Sequence, residues 1–177
     1  MRVLTPSRLI AVAALALAVF GFTVGPAWTG ADRDRGDHRS KACARGKHQL
    51  ERNKRTVVKY YTTAFNDKDP ELAVKLYGGD KYIQHNPLAA NGFDAFIQFV
   101  NSFTVQYPEL HIDIRRVFAE CDFVITHGLL TGAVPVFGER GSKVVDIFRL
   151  DRRGKVVEHW DVLAPISATS ANGNPEV

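Results

Sequence analysis

Residues 144–163, with the sequence VVDIFRLDRRGKVVEHWDVL, constrain the fold of this chain more than any other stretch. Apolar and polar residues alternate in two runs, which a charged turn ending in Gly154 joins. Alternation with a period of two predicts half-buried strands, and two such runs around a short turn predict a β-hairpin. A four-residue turn over 151–154 places Asp146 opposite His159 on the neighbouring strand.

This register gathers ionisable groups among apolar residues on one strand face. Directly opposed residues point to the same side, so one face carries Val144, Asp146, Phe148, Val157, His159 and Asp161. Burial raises the pKa of a carboxyl group and a neighbouring imidazolium lowers it, and such opposed effects tune general acids and bases. We therefore predict Asp161, Asp146 and His159 as catalytic residues. The alternatives are a structural Asp146–His159 pair with a solvated Asp161, or a one-residue register change that groups Asp146 with Glu158 and Trp160.

The first 31 residues have the layout of a signal peptide. Arg2 and Arg8 precede an apolar run over residues 9–22, and small residues follow that run. The run is shorter than the roughly 20 apolar residues of a membrane span. We therefore predict a signal peptide over 1–31, a secreted or cell-envelope location, and no stable membrane insertion after cleavage. An uncleaved N-terminal anchor is the alternative.

The mature chain is predicted to form one domain between two polar segments. Residues 32–47 mix basic and acidic side chains without hydrophobic periodicity, which predicts a disordered basic linker before a domain over 48–166 and a flexible tail over 167–177. The formal charge of the whole chain is only +4, so nucleic acid is not an expected partner. Export permits a disulfide between the only two cysteines, Cys43 and Cys121, and two free thiols are the alternative.

Helical periodicity fills the first half of the domain, and strand alternation fills the second half. The spacing of apolar residues predicts helices over 48–66, 70–77 and about 92–105, with a short strand over 81–85. From residue 110 onward the period becomes two, which predicts an antiparallel sheet. Helices followed by a run of strands indicate an α+β domain, with the third helix across the concave side of a curved sheet and a pocket between them.

Three stretches of the chain resemble the SnoaL-like polyketide cyclase family of the nuclear-transport-factor-2-like superfamily: YIQHNP at 82–87, VDIFRL at 145–150 and GKVVEHWD at 154–161. The resemblance covers about residues 48–165. It implies a cone-shaped α+β barrel, in which the N-terminal helices pack in the concave face of a curved antiparallel sheet. It also implies a homodimer and cofactor-independent aldol chemistry, with Asp161 in the place of the acid/base. Asp146 stands where those cyclases carry a histidine.

Six further residues are predicted to bind a hydrophobic small molecule: His85, Tyr82, His127, Phe99, Phe148 and Trp160. His85 ends a strand before a proline turn, which favours a pocket rim, and a turn-stabilising hydrogen bond is its alternative. His127 lies on a mostly apolar strand face, where a core position is the alternative. Tyr82 and Trp160 are interpreted as core or pocket wall.

The residues point to chemistry without a metal. His85, His127, Asp146 and His159 are residue types that bind zinc or iron, but they lack a local ligand spacing, so no metal is expected. The family resemblance implies that no organic cofactor is used either. The leading hypothesis is a secreted acid/base enzyme of the aldol cyclase, isomerase or lyase type that acts on a small hydrophobic carbonyl compound. The alternatives are a non-catalytic module that binds a hydrophobic small molecule, and an interaction domain that dimerises through its exposed sheet face.

Overall fold

The computed structural model describes residues 46–177. The predicted signal peptide, Cys43 and all but the last two residues of the predicted linker lie outside the described residues. The helices are α1 (Lys47–Tyr61), α2 (Pro70–Tyr77), α3 (Phe93–Gln106) and α4 (Val134–Phe137), and a π-helical turn, Thr62–Asn66, follows α1. The strands are β1 (Gly78–Gln84), β2 (His111–Glu120), β3 (Phe123–Thr131), β4 (Ser142–Leu150) and β5 (Val156–Pro165). None of the helices in this part of the chain has the length and hydropathy of a membrane span.

The five strands form one curved, unclosed sheet in the order β1-β5-β4-β3-β2. Strands β2 to β5 pair antiparallel, as the alternating pattern predicts. Strand β1 adds to the edge of β5 in parallel, so the sheet is mixed. A parallel pair needs a long crossover rather than a hairpin, and the whole of α3, β2, β3 and β4 separates these two strands. The predicted α+β fold with helices on the concave face is confirmed.

The β4–β5 hairpin keeps the predicted grouping of side chains but not the predicted register. Asp146 lies opposite Asp161 rather than His159. Two differences of one residue add to this shift: the loop spans residues 151–155, and Val157 is a bulged residue without a cross-strand partner. Because a shift of two residues leaves every side chain on its original face, Asp146, His159 and Asp161 still point to the same side.

Aromatic rings hold the helices against the concave face of the sheet. Tyr60 and Tyr61 of α1 are buried, and both meet the ring of Phe148 on β4 edge-on, with centroids 6.4 and 4.8 Å apart. Phe96 of α3 stacks on Tyr60 at 5.1 Å. Edge-to-face and offset contacts at these distances are the favoured geometries of aromatic pairs. The core therefore lies between α1, α3 and β4.

The predicted helices are present, and one continues differently from its pattern. Asp69 caps α2 by accepting the Leu72 N–H at 2.9 Å, and Pro70 occupies the first turn of this helix. The first helix, however, changes to π-helical geometry after Tyr61. Such turns are frequent at functional sites, and this one lies directly after a residue of the site described below. Helix α4 was not predicted.

The turn between β2 and β3 and the C-terminal tail both make specific contacts. Cys121, in the turn between β2 and β3, is disulfide-bonded. Glu176 of the tail accepts the Ser167 N–H at 2.7 Å and forms an ion pair with Lys143. The Lys143 hydrogen bond and then the Ser167 N–H lower the pKa of Glu176 to about 2. The predicted tail therefore folds back onto β4.

Candidate functional site

A cavity of about 460 Å³ lies between the helices and the concave face of the sheet. Most of its wall is apolar, with Phe65, Phe96, Phe103, Ile112, Leu130 and Val144 among the lining residues. The lining residues with the most exposed side chains, Leu88, Val136 and Phe99, mark its mouth. The polar lining residues Asp146 and His159 are 2% and 3% exposed, so the polar wall lies at the buried end.

Asp146 is held at this buried end by two hydroxyl groups. Tyr61 donates its O–H to Asp146 Oδ1 at 2.9 Å, and Thr126 donates to Asp146 Oδ2 at 2.9 Å. Thr126 is fully buried on β3, directly opposite Asp146 on β4. Burial of a carboxyl group costs free energy unless the group is hydrogen-bonded, and the two hydroxyl groups provide these hydrogen bonds.

Gln84 determines which ring nitrogen of His159 carries a proton. Its Oε1 accepts the backbone N–H groups of His85 at 2.9 Å and Asn86 at 3.0 Å, which fixes the orientation of the amide. The same oxygen lies 3.1 Å from His159 Nδ1. Since an amide oxygen only accepts, Nδ1 must be the donor, and the hydrogen-bond network assigns the proton to it. His159 Nε2 is left to face Asp146.

His159 and Asp146 share one further proton. His159 Nε2 lies 3.1 Å from Asp146 Oδ1, and both atoms contact the Tyr61 hydroxyl, at 2.8 and 2.9 Å. The single hydroxyl proton satisfies one side of this triangle. The contact between Nε2 and Oδ1 needs another proton, because two unprotonated lone pairs at this distance repel. The pair therefore carries no net charge wherever that proton resides.

Asp161 lies beside this pair, with an amide as its partner. Asn86 donates its Nδ2 to both carboxylate oxygens of Asp161, at 2.8 and 3.0 Å. The backbone N–H of Leu88 donates to Asn86 Oδ1 at 2.9 Å, so the amide nitrogen must face Asp161. Asp161 is half-buried and lines the cavity. Its carboxylate is thus oriented without being neutralised by this partner.

Two tyrosines of the wall keep their hydroxyl protons. Burial, and then the negative charge of Asp146, raise the pKa of Tyr61 well above its usual value, and Asp161 adds to the shift. Burial is also the main cause that raises the pKa of Tyr82. Both hydroxyls are therefore hydrogen-bond donors throughout the neutral range. Tyr61 is the donor closest to the Asp146–His159 pair.

The structure brings together the three residues predicted as catalytic. One carboxylate oxygen each of Asp146 and Asp161 and one ring nitrogen of His159 all lie within 4.8 Å of one another. Tyr82 and Phe99, predicted to bind substrate, line the same cavity. Phe148 is fully buried beneath it and packs against His159 at 4.8 Å, so it supports the wall without lining it.

His85, His127 and Trp160 lie outside the cavity, contrary to their prediction as substrate-binding residues. His85 stacks on Trp160 at 4.4 Å and contacts Glu158 Oε1 through Nε2 at 2.9 Å. His127 contacts Arg116 through Nδ1 at 3.0 Å. The physical reason is the alternation of side chains along a strand, which sends these residues to the convex face when their neighbours point inward.

The four residues considered as possible metal ligands from the sequence do not lie together in the structure. His85 and His127 lie on the convex face, whereas Asp146 and His159 lie on the concave face. Among the described residues, Asp146, His159 and Asp161 are the group able to hold a cation. Asp146 and His159 already satisfy each other through their shared proton, so a cation there would have to displace it.

Four residues of the site were missed by the sequence analysis: Tyr61, Gln84, Asn86 and Thr126. Two of them could have been predicted from the sequence. Gln84 and Asn86 flank His85, so they point to the opposite face if His85 points outward. Tyr61 lies within the helix predicted over residues 48–66, and a buried tyrosine hydroxyl requires a hydrogen-bond partner. Its partner Asp146 is 85 residues away, which no local pattern reveals.

Comparison with known proteins shows the family. Residues 57–159, more than half of the chain, match the SnoaL-like domain. The chain belongs to the SnoaL-like family. The matched residues of this SnoaL-like chain include Tyr61, Gln84, Asp146 and His159, whereas Asp161 lies two residues beyond the match. No curated protein matches the chain in sequence.

Solved SnoaL-like structures share the fold at low sequence identity. A candidate SnoaL-like polyketide cyclase from a Jannaschia species is 22% identical, with a TM-score of 0.54 over 67% of this chain and 89% of that one. A candidate polyketide cyclase from Acidithiobacillus ferrooxidans is 19% identical, with a TM-score of 0.54 over 63% and 87%. A candidate isomerase of the SnoaL-like family from Agrobacterium tumefaciens is 14% identical, with a TM-score of 0.50 over 63% and 97%.

Proposed function

We propose that this SnoaL-like protein is a cofactor-independent acid/base enzyme, of the aldol cyclase, isomerase or lyase type, acting on a small hydrophobic carbonyl compound. The observation that carries the proposal is the meeting of Asp161, Tyr61 and the Asp146–His159 pair at the buried end of an apolar cavity. Solved neighbours are named as a candidate polyketide cyclase and a candidate isomerase, and both names fall within the range of activities proposed here.

Each group has a role in enolisation. Asp161, oriented by Asn86, accepts a proton from the carbon next to the carbonyl group, so that a C–H bond breaks and an enolate forms. The Tyr61 hydroxyl turns from Asp146 and donates its hydrogen bond to the developing enolate oxygen, while the proton shared by Asp146 and His159 stays between them. In an isomerase the proton returns to a different carbon. In a cyclase the enolate carbon bonds to a second carbonyl carbon of the same molecule, the π bond of that carbonyl group breaks, and its oxygen takes up the proton that Asp161 had accepted.

Exchange of hydrogen for deuterium tests the role of Asp161. We expect the protein to accelerate the exchange of the α-protons of 1-tetralone in D₂O, followed by proton NMR. The Asp161→Asn variant keeps the shape and one of the two hydrogen bonds from Asn86 but loses the base, so its rate falls by at least about 100-fold. The matched control is Asp113→Asn, which removes an acid of β2 that pairs with Arg115 on the protein surface. Equal rates of α-proton exchange for the wild type and Asp161→Asn would contradict the proposal.

A non-catalytic binding module is the second candidate function. It is favoured by the predominance of aromatic and aliphatic residues in the wall, which suits retention of a hydrophobic molecule without turnover. The same NMR experiment separates the two functions. Saturable binding of 1-tetralone with no acceleration of exchange supports the binding module and contradicts the enzyme.

We propose that the protein is exported, to the cell envelope or beyond it. The support is the signal-peptide layout of residues 1–31 together with a disulfide at Cys121, because disulfides persist mainly in oxidising compartments. Cell fractionation and N-terminal sequencing of the mature protein measure this. An intact Met1 on protein recovered from the cytoplasm would contradict export.

We propose further that two copies associate through the convex face of the sheet. This face exposes apolar side chains on neighbouring strands, with Phe118 58% exposed and Ile125 and Val145 each 38% exposed. An exposed apolar patch of this kind is typical of an interaction surface. A second copy of the chain presents the same patch, so a two-fold arrangement buries both at once.

A further inference from the structure

The charges of the cavity wall do not balance. The charged residues among its described lining are Asp146, His159 and Asp161, and neither lysine nor arginine contributes to it. The imidazole of His159 and the carboxyl of Asp146 share one proton and together carry no net charge. Asp161 is held by the neutral amide of Asn86. When Asp161 is ionised, the wall therefore carries one negative charge in excess.

The remainder of the wall offers an anion no cation, and several of its hydrogen-bond donors are already engaged. The Ser142 hydroxyl donates to the Phe137 carbonyl oxygen at 3.1 Å. At the mouth, the backbone N–H groups of Leu88 and Ala89 both donate to Asn86, at 2.9 and 3.1 Å. An anionic ligand would lose its hydration, meet the negative charge of Asp161 and gain only a tyrosine hydroxyl as a donor, without a cation in return. The cavity should therefore reject carboxylates.

The same wall is favourable to a cation. The faces of aromatic rings attract ammonium groups, and the cavity is lined by the phenyl rings of Phe65, Phe96, Phe99, Phe103 and Phe137. The excess carboxylate of Asp161 adds a direct ion pair in a site that is partly shielded from water. The apolar volume of the cavity accommodates the carbon skeleton of such a molecule.

We propose that the cavity is a binding site for hydrophobic amines, with the ammonium group paired to Asp161. These amines are a ligand class apart from the carbonyl substrate, and they occupy the carboxylate that would accept the substrate proton. They therefore act as competitive inhibitors of any reaction that uses Asp161. The inference concerns binding alone, so it stands whether or not the site turns a substrate over.

Three probes with one skeleton test this selectivity: 2-naphthylmethylamine, 2-acetylnaphthalene and 2-naphthoate, which are cationic, neutral and anionic at pH 7. Isothermal titration of the full-length protein measures their dissociation constants. We expect the amine to bind most tightly and the carboxylate most weakly, with at least about a 100-fold difference between them. Comparable binding of the amine and the carboxylate overturns the proposal, as does a failure of all three probes to bind.

Two variants assign the selectivity to one side chain. Asp161→Asn should reduce the amine-to-carboxylate ratio by at least about 30-fold while leaving the affinity for 2-acetylnaphthalene within about threefold of the wild type. Asp161→Ser is the second variant, should the first fail to fold. Asp113→Asn removes a carboxylate on the convex face and should change none of the three affinities. Amine selectivity that survives in both Asp161 variants overturns the proposal.

Discussion

Gln84 controls the protonation of His159 through an amide whose orientation the backbone fixes. Three donors converge on its Oε1: two backbone N–H groups and His159 Nδ1. This leaves Nε2 as the nitrogen that exchanges a proton with Asp146 and Tyr61. A base or acid works only if the correct nitrogen faces the reacting group, so Gln84 is a positioning residue for the proposed chemistry.

Replacement of this amide should be visible in the spectrum of His159. In the wild type, Nδ1 keeps its proton when the imidazole becomes neutral. In Gln84→Leu the acceptor is gone, so the neutral imidazole should divide its proton between both nitrogens, and α-proton exchange should slow by about 10-fold. Nitrogen-15 NMR of the ring across pH 5–9 measures the tautomer directly.

The control for this substitution is Gln98→Leu, since Gln98 is exposed on α3. It should leave the His159 tautomer unchanged. A neutral His159 that keeps its proton on Nδ1 in Gln84→Leu would show that the amide does not determine the tautomer.

At the scale of the elements, β1 connects two different clusters. Gln84 and Asn86 extend into the cavity, while His85 between them contacts Glu158 on the convex face. Arg149 also pairs with Glu158. This convex cluster fixes the end of β1 on β5, and thereby the position from which Gln84 and Asn86 reach His159 and Asp161.

Acid should weaken this cluster. Burial raises the pKa of Glu158, but the hydrogen bonds from His85 and Arg149 outweigh it, so the pKa lies below its usual value. A carboxyl group with a lowered folded-state pKa stabilises the fold above its unfolded pKa, near 4.3, and this contribution is lost as the pH falls through the folded pKa. The free energy of unfolding should therefore fall below about pH 4.5, and it should fall less in Glu158→Gln.

Urea denaturation at pH 7, 4 and 3 measures this difference. Glu120→Gln is the matched control, because Glu120 is exposed at the end of β2. It should retain the wild-type dependence on pH. The role assigned to Glu158 would be contradicted if its variant also followed the wild-type curve.

The elements were more predictable from the sequence than the contacts between them. Alternation gave β3 and the two faces of the hairpin, because each depends on side-chain period alone. The register was missed, because the bulge at Val157 and a loop one residue longer leave no trace in that pattern. The predicted grouping of Asp146, His159 and Asp161 on one face is nevertheless present, since two shifts of one residue each return the side chains to the same face.

At the scale of the whole molecule, the site depends on contacts that only the folded chain creates. Tyr61 from the first helix meets Asp146 and His159 from the last two strands. Gln84 is the last residue of the parallel edge strand and Asn86 follows that strand, and no local pattern indicates the pairing of β1 with β5. Sequence periodicity therefore predicted that a pocket would contain Asp146, His159 and Asp161, but it could not identify the residues that orient them.

The two faces of the sheet also differ in the apolar surface that they expose to a second protein chain. The concave face is covered by helices and encloses the cavity, whereas the convex face exposes Phe118 and its apolar neighbours. If a second copy covers this face, a charge placed there must be buried without a partner and should disrupt the assembly. Phe118→Asp should therefore raise the dimer dissociation constant by at least about 100-fold while leaving the cavity unchanged.

Sedimentation equilibrium over a range of protein concentrations measures this constant. Leu88→Asp is the matched control, because Leu88 is 91% exposed but lies at the cavity mouth on the opposite side of the sheet. It should sediment as the wild type does. A wild-type protein that remains monomeric at all concentrations, or a Phe118→Asp variant that dimerises as strongly as Leu88→Asp, would mean that the convex face does not hold a second copy. In that case solvent covers the apolar side chains of β2 and β3, and the site in the cavity functions within a single chain.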